Sequence, residues 1–337
     1  MSEDNGTVDT NIKIEKTQYL LKKYGIVLVL ILLIIVISIL SPTFLTPNNI
    51  FNVLTQVSIF GIMSLGMTLV ITSRGIELSV GSVLALSGVL AASFGQLATA
   101  TDKFYPNLGA LPIIIPIVVA LLVGVICGGI NGLLIAKTGI PAFIATLGMQ
   151  TIARGLALIY TGGKPISNLT PQLKFFGGKV FGVIPVPVII YTIVIIITWI
   201  LLNNTRFGKN VYAIGGNINA AQVSGVNVSK NLVMIYAYCG LLAGLAAIVF
   251  AGRTGSVHPG AAVGYESTAI AATTIGGTSH SGGISTIWGA VIGALILGVL
   301  RNGLTLLGVP AYWQQVTEGV IIVVAVVIDM RKNSKKR

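Results

Sequence analysis

Ten apolar stretches, each near the length that carries a helix across about 30 Å of hydrocarbon, alternate with shorter polar segments along this chain. They fall at 20–40, 50–72, 79–98, 111–136, 141–162, 184–202, 229–252, 263–278, 286–307 and 312–329. The pattern predicts an all-α polytopic membrane protein of about ten transmembrane helices, the eighth being the shortest. The first stretch follows Lys22 and Lys23 and has no small-x-small cleavage site before Ser41-Pro42, so it reads as an uncleaved anchor. The longest polar interruption runs from Asn203 to Lys230. A loop this basic beside a hydrophobic segment stays in the cytoplasm, where a soluble partner can grip it.

Charge sets the expected orientation. With the N-terminus inside, 14 Lys and Arg residues fall in cytoplasmic segments and five outside, namely Lys103, Lys164, Lys174, Lys179 and Arg253. Arg154 and Arg301 remain in the membrane. An even number of spans then leaves both termini cytoplasmic. Residues 1–17 read as a disordered cytoplasmic tail, 18–330 as the transmembrane domain with 203–230 as its cytoplasmic loop, and 331–337 as a basic tail. The net charge of +12 does not indicate nucleic acid, because the basic residues sit at the ends of apolar segments and are not interleaved with aromatics.

The chain repeats itself. Asn131-Gly132-Leu133 in the fourth stretch precedes Gly139-Ile140-Pro141-Ala142-Phe143, and Asn302-Gly303-Leu304 in the ninth precedes Gly308-Val309-Pro310-Ala311-Tyr312. The offsets are 171 and 169 residues, and five spans separate the copies. An odd number turns the second copy upside down, which predicts two inverted five-helix halves of the kind transporters use. Gly124, Gly128 and Gly132, and likewise Gly289 and Gly293, recur every four residues and predict faces that let helix backbones approach closely.

Candidate chemistry is sparse. No G-x-x-x-x-G-K-S/T, H-E-x-x-H or G-x-S-x-G occurs, so no catalytic residue, cofactor or phosphate loop is assigned. Cys127 and Cys239 lie in apolar runs and read as small core residues; His258 and His280 fall in opposite loops, which leaves no metal site. Glu77, Arg154, Glu266, Arg301, Glu318 and Asp329 lie within or near the membrane, where an ionisable side chain needs a partner or water. Arg154, Glu266, Arg301 and Glu318 fall toward the outer half. The expectation is that Arg154 pairs with Glu318 or with Glu266 and holds the halves together, with pathway contact as the alternative. Glu77 and Asp329 lie near the inner ends, where snorkelling or solvation suffices.

Within the long loop, Gly215-Gly216 breaks the chain, Asn217 caps, and Ile218 to Ser224 form two small-residue turns that Gly225 ends. Asn219-Ala220-Ala221 followed by Gly225 has the spacing of the E-A-A-x-x-x-G signature by which membrane subunits of ATP-binding-cassette importers dock on their ATPases, with Asn in place of Glu. Gly75-Ile76-Glu77-Leu78-Ser79-Val80-Gly81-Ser82, Thr205-Arg206-Phe207-Gly208, Ala213-Ile214-Gly215-Gly216-Asn217, Ser224-Gly225-Val226-Asn227, Ala269-Ile270-Ala271-Ala272, Gly276-Gly277-Thr278-Ser279 and Ser281-Gly282-Gly283 follow in order. Together they resemble the ribose and galactoside permease family of those importers.

The resemblance implies a ten-span subunit, paired as a homodimer or with a sister subunit, two cytoplasmic ATPase subunits, and a periplasmic or lipid-anchored sugar-binding protein. Asn217, Asn219, Ala220, Ala221, Ser224 and Gly225 are then the ATPase-coupling residues, and Gly75, Glu77, Ser79 and Gly81 the family motif. The implied mechanism is alternating access for a monosaccharide, with ATP hydrolysed elsewhere. Lys103-Phe104-Tyr105-Pro106 and the run Asn204 to Asn210 lean toward the galactose and methyl-galactoside branch. The family usually has Asp at Glu77 and reads Tyr-Glu-Leu-Asp where this chain reads Tyr265-Glu266-Ser267-Thr268, so a carboxylate is missing there. Permeases for nucleosides, branched-chain amino acids or a signalling sugar share the scaffold, and an ion-coupled secondary transporter, with Glu266 or Glu318 at its ion site, is the rival class.

Overall fold

The structure, a computed structural model, describes residues 24–334. The tail expected at 1–17 and the end of the basic tail at 335–337 lie outside the described residues. Each of the ten apolar stretches folds as a helix: α1 (Tyr24–Leu40), α2 (Pro47–Thr72), α3 (Val80–Phe94), α4 (Ile114–Thr138), α5 (Ala142–Thr161), α7 (Val186–Asn204), α10 (Val228–Thr254), α11 (Tyr265–Ile275), α12 (Ile287–Leu306) and α13 (Ala311–Ser334). A four-residue helix α6 (Pro171–Lys174) and a small hairpin, β1 (Lys179–Val180) against β2 (Ile184–Pro185), lie between α5 and α7. The long polar stretch, expected to hold one short helix, holds two: α8 (Arg206–Gly216) and α9 (Ile218–Val223). Three glycines within α8 lower its intrinsic propensity, so packing of its buried face at Gly208, Val211, Ile214 and Gly215 forms it.

Two helices are too short to cross. At 1.5 Å per residue, the 15 residues of α3 reach roughly 22 Å and the 11 of α11 roughly 16 Å. Each is preceded by a non-helical segment, 73–79 before α3 and 255–264 before α11. Irregular backbone at such depth persists only where protein buries it or water wets it.

The inverted repeat is visible in the packing. α4 lies against α10 as α12 lies against α2, and α3 packs on α10 as α11 packs on α2. The pairs α3–α4 and α11–α12, α3–α5 and α11–α13, and α4–α5 and α12–α13 complete the correspondence. α2 and α10 are the central helices of the two halves. From Val57 to Thr72 every residue of α2 is buried, whereas α5 and α13 carry broad exposed apolar faces.

The small-residue faces do what their spacing predicts. A Cβ on Gly124 or Gly128 would strike the carbonyl of Gly240 or Tyr236 in α10, and one on Gly132 would lie 2.6 Å from the Val233 Cα. On α12, a Cβ at Gly289 or Gly293 would strike the carbonyl of Gly276 or Ala272. In lipid no hydrophobic effect drives helices together, so this close approach is what supplies their attraction.

Candidate coupling site and intramembrane charges

The six residues expected to couple to an ATPase meet in one element. Asn217 ends α8 and starts α9: its Oδ1 accepts hydrogen bonds from the Asn219 and Ala220 amides, each at 3.0 Å. These are donors that a helix start otherwise leaves unpaired. At the far end the Ser224 amide donates to the Ala220 carbonyl, and Gly225 takes φ +83°, so the Val226 amide turns back to Ala221. Ala221 is buried beneath the helix, while Ile218 and Val223 stand outward, Val223 being 90 % exposed. The result is a short, capped, small-residue helix with an apolar edge directed away from the bundle.

Its base is fastened at a point the sequence did not single out. Arg74 follows α2 with φ +63°, and its guanidinium donates from Nε to the Ser281 carbonyl at 2.6 Å and from Nη2 to the Gly216 carbonyl at 3.0 Å. The second of these satisfies the C-terminal end of α8, where a cation is also favoured by the helix dipole. The Gly283 amide donates to the Thr72 carbonyl at 2.8 Å, and a Cβ on Gly215 would strike that same carbonyl. From α13, Asp329 Oδ2 accepts from Ser279 Oγ and the His280 amide at 3.2 and 3.1 Å. The His280 ring shares a hydrogen bond with Thr274 at 2.8 Å, and burial holds the imidazole below its ordinary pKa against the pull of Asp329. Three of the stretches that carry the family resemblance, around Gly75, Gly215 and Gly282, thus meet at one joint between α2, the α8–α9 pair, the α11–α12 loop and α13.

Each residue of the Gly75 to Gly81 motif has a local reason. A side chain on Gly75 would collide with the Tyr236 hydroxyl, and one on Gly81 would meet Ala262 and come within 2.5 Å of Glu266 Oε2. Glu77 is not a solvated inner-end charge, as its position suggested, but is 2 % exposed. Its Oε1 accepts from the Ser79 amide at 2.7 Å and the Ser79 hydroxyl at 2.5 Å, and Oε2 accepts from Asn131 Nδ2 at 2.8 Å. The carboxylate therefore braces the start of α3 from the irregular segment before it. Asn302, the counterpart of Asn131, exchanges amide hydrogen bonds of 2.9 Å with Asn49 in the first turn of α2. Asn302 thus ties α12 to the central helix α2, whereas Asn131 ties α4 to the irregular segment that leads from α2 into α3, and a polar side chain recurring in an apolar helix was the signal that could have located them.

The expected ion pair has a different cationic partner. Glu318 pairs with Arg301, not with Arg154: Arg301 Nε contacts Oε1, and Nη2 donates to Oε2 at 2.6 Å. Arg301 Nη2 also donates to the Thr268 hydroxyl at 2.9 Å, and the guanidinium lies 6.0 and 5.9 Å from the Phe60 and Tyr265 ring centres. Arg301 thus takes a hydroxyl from α11 and a carboxylate from α13. Arg154 instead donates from Nη1 to the carbonyls of Pro259 and Ala261, at 2.6 and 2.8 Å. Glu266 Oε1 accepts from Gln150 Nε2 at 3.2 Å and the Gly264 amide at 3.3 Å. Among the described residues no three His, Cys, Asp or Glu side chains gather as metal ligands.

A polytopic helical bundle in two inverted halves, with glycine-packed helices and a fastened helix pair at one end, is the build of a transport permease. The family described as the branched-chain amino acid transport system permease component matches residues 49–326, and the chain belongs to it. The chain is 44 % identical over 308 residues to the ribose import permease protein RbsC of Escherichia coli K12, covering 90 % of this chain and 92 % of that protein. It is 47 % identical over 316 residues to the ribose import permease protein RbsC of Bacillus subtilis 168, covering 93 % and 94 %. With the galactose/methyl galactoside import permease protein MglC of Escherichia coli K12 it shares 40 % identity over 324 residues, covering 94 % and 96 %. No solved structure matches the chain.

Proposed function

We propose that this chain is the membrane-spanning permease subunit of an ATP-binding-cassette importer for a monosaccharide of the ribose or galactoside class. Two copies, or this subunit and a sister, flank the path; a binding protein delivers sugar from outside; and α9 docks on a separate cytoplasmic ATPase. The observation that carries this reading is the capped helix α9, with Ile218 and Val223 exposed at its edge and its base tied through Arg74 to α2 and the α11–α12 loop. A push on α9 then reaches both halves of the bundle. The test is Gly225→Glu, in which a long charged side chain at a φ of +83° would be strained and desolvated at the docking surface. ATP-dependent uptake should fall to background while the protein stays inserted, and full uptake in proteoliposomes would refute the docking.

Identity weighs toward ribose over galactose, 47 % against 40 % at similar coverage. The segment that leaned the other way is engaged in packing: Phe104 stacks on Tyr160 and Tyr105 on Phe94, with ring centres 4.5 and 5.3 Å apart. The family's own description favours one further reading, a branched-chain amino acid as cargo. Competition of labelled D-ribose uptake by unlabelled D-galactose and L-leucine separates the three.

A further inference from the structure

The outward face of α5 is apolar at Phe143, Ile144, Leu147, Ile152, Leu156 and Ile159, as contact with lipid or a second subunit requires. One turn interrupts it. Gln150 and Arg154, four residues apart and therefore on one face, are both half-buried. Arg154 uses only Nη1 on the Pro259 and Ala261 carbonyls, so Nε and Nη2 have no acceptor among the described residues. Gln150 gives its amide nitrogen to Glu266, and its Oε1 receives no donor there. Glu266 Oε2 is buried without a donor. A guanidinium with free donors cannot face acyl chains, and the carbonyls it holds belong to the irregular segment 255–264, which needs protein or water around it at that depth. On the equivalent helix of the other half, α13, the matching positions are Gly319 and Val323, which carry no polar side chain. The repeat itself does not require this polarity.

We propose that Gln150 and Arg154, with Glu266 behind them as a positioning residue, form a hydroxyl-binding subsite on the translocation path. The inference deepens the importer reading and rests on it. Free guanidinium donors beside a free amide acceptor complement the adjacent hydroxyls of a neutral sugar, each of which donates and accepts. Passage requires only a few such groups on an otherwise apolar wall. Glu266 orients the Gln150 amide so that its oxygen, not its nitrogen, meets the path.

The test uses the assembled transporter in vesicles, with uptake of radiolabelled D-ribose and D-galactose measured beside ATP hydrolysis. Gln150→Ala and Arg154→Met should each lower sugar moved per ATP at least tenfold while hydrolysis continues; Arg154→Lys should recover part, and Thr151→Ala, exposed on the same turn, should behave as the parent. With Cys127 and Cys239 replaced by Ala, Gln150→Cys should react with a water-soluble maleimide, and ribose should slow the reaction. Parental uptake per ATP in both Gln150→Ala and Arg154→Met would overturn the proposal, as would an unreactive Gln150→Cys. So would a parallel fall of uptake, hydrolysis and folded protein that Arg154→Lys does not relieve, which is the signature of a purely structural arginine. A parent that carries neither sugar would refute the importer reading and the sugar subsite with it, whereas a failing subsite in an actively transporting parent refutes the subsite alone.

Discussion

Removing Glu318 should destabilise the bundle, and removing Arg301 as well should restore much of the loss. The two side chains are 12 % and 18 % exposed and meet through two nitrogen–oxygen contacts, so Glu318→Gln leaves a guanidinium largely out of water with only Thr268 and two rings for company. Breaking a buried pair by deleting one partner costs about 3–5 kcal/mol, and the residual exposure here places the expected value at the lower end, about 3 kcal/mol. That corresponds to roughly a 150-fold change in the folded-to-unfolded ratio. The ring contacts add about 0.5–1 kcal/mol apiece to what Arg301→Met loses. A double-mutant cycle of Glu318→Gln and Arg301→Met, read by thermal unfolding of the purified protein in detergent, should return a coupling of about 2 kcal/mol or more. The parallel cycle of Arg154→Met with Glu318→Gln should be additive within about 0.5 kcal/mol, since those residues share no contact. Coupling in the second cycle and none in the first would refute the assignment of the pair.

Gly240→Ala should cost about 1–3 kcal/mol or more by forcing α4 and α10 apart, while Gly129→Ala, whose added Cβ meets nothing within 4 Å, should be silent; melting of both variants checks the contrast. Asn131→Leu should cost about 1–3 kcal/mol because it leaves Glu77 Oε2 without its donor, and Glu77→Gln in that background should return part of it. For orientation, Ser224→Cys and Phe181→Cys, each in a chain lacking the two native cysteines, should label with an impermeant thiol reagent in intact cells only at 181. Asn217→Ala should lower the stability of α9 by about 1 kcal/mol, seen as faster amide exchange at 219 and 220.

The place and order of the apolar helices were legible because apolarity is a property of each helix by itself, whereas seven of them are long and apolar enough to cross a membrane and α3 and α11 are not. So were the glycine faces and the caps of α9, which are written in spacings of three or four residues. What the sequence hid was the matching of partners. Arg154, Arg301, Glu266 and Glu318 fall at similar depth under the predicted topology, and depth does not say which helices are neighbours. That depends on α12 lying beside α11 and α13 while α5 reaches over the 255–264 segment. Glu77 was misjudged for a related reason: its position just past the end of α2 says nothing of the neighbouring α4, whose Asn131 bonds it. α8 was overlooked because glycine is a poor helix former alone and a good one where Thr72 and Leu202 carbonyls press against it.

The comparison of the two halves carries the argument one step further. The repeat gives five of the helix packings a counterpart, so a side chain that only serves those packings should have one too, and a polar side chain does recur at Asn131 and Asn302. Charges break the rule. The second half closes its charge on itself, Arg301 with Glu318 across α12 and α13, while the first half leaves Arg154 on α5 holding main-chain carbonyls of the other half, with donors to spare. At the end of the bundle that carries α8 and α9 the asymmetry recurs, since these helices are inserted at one place between the halves and Arg74 ties them to the end of α2 and to the α11–α12 loop. Duplication explains the scaffold, and under the importer reading proposed above the unmatched groups, Arg154 with Gln150 at one level and Arg74 with α9 at another, are where a symmetric bundle would respond to a push from one side.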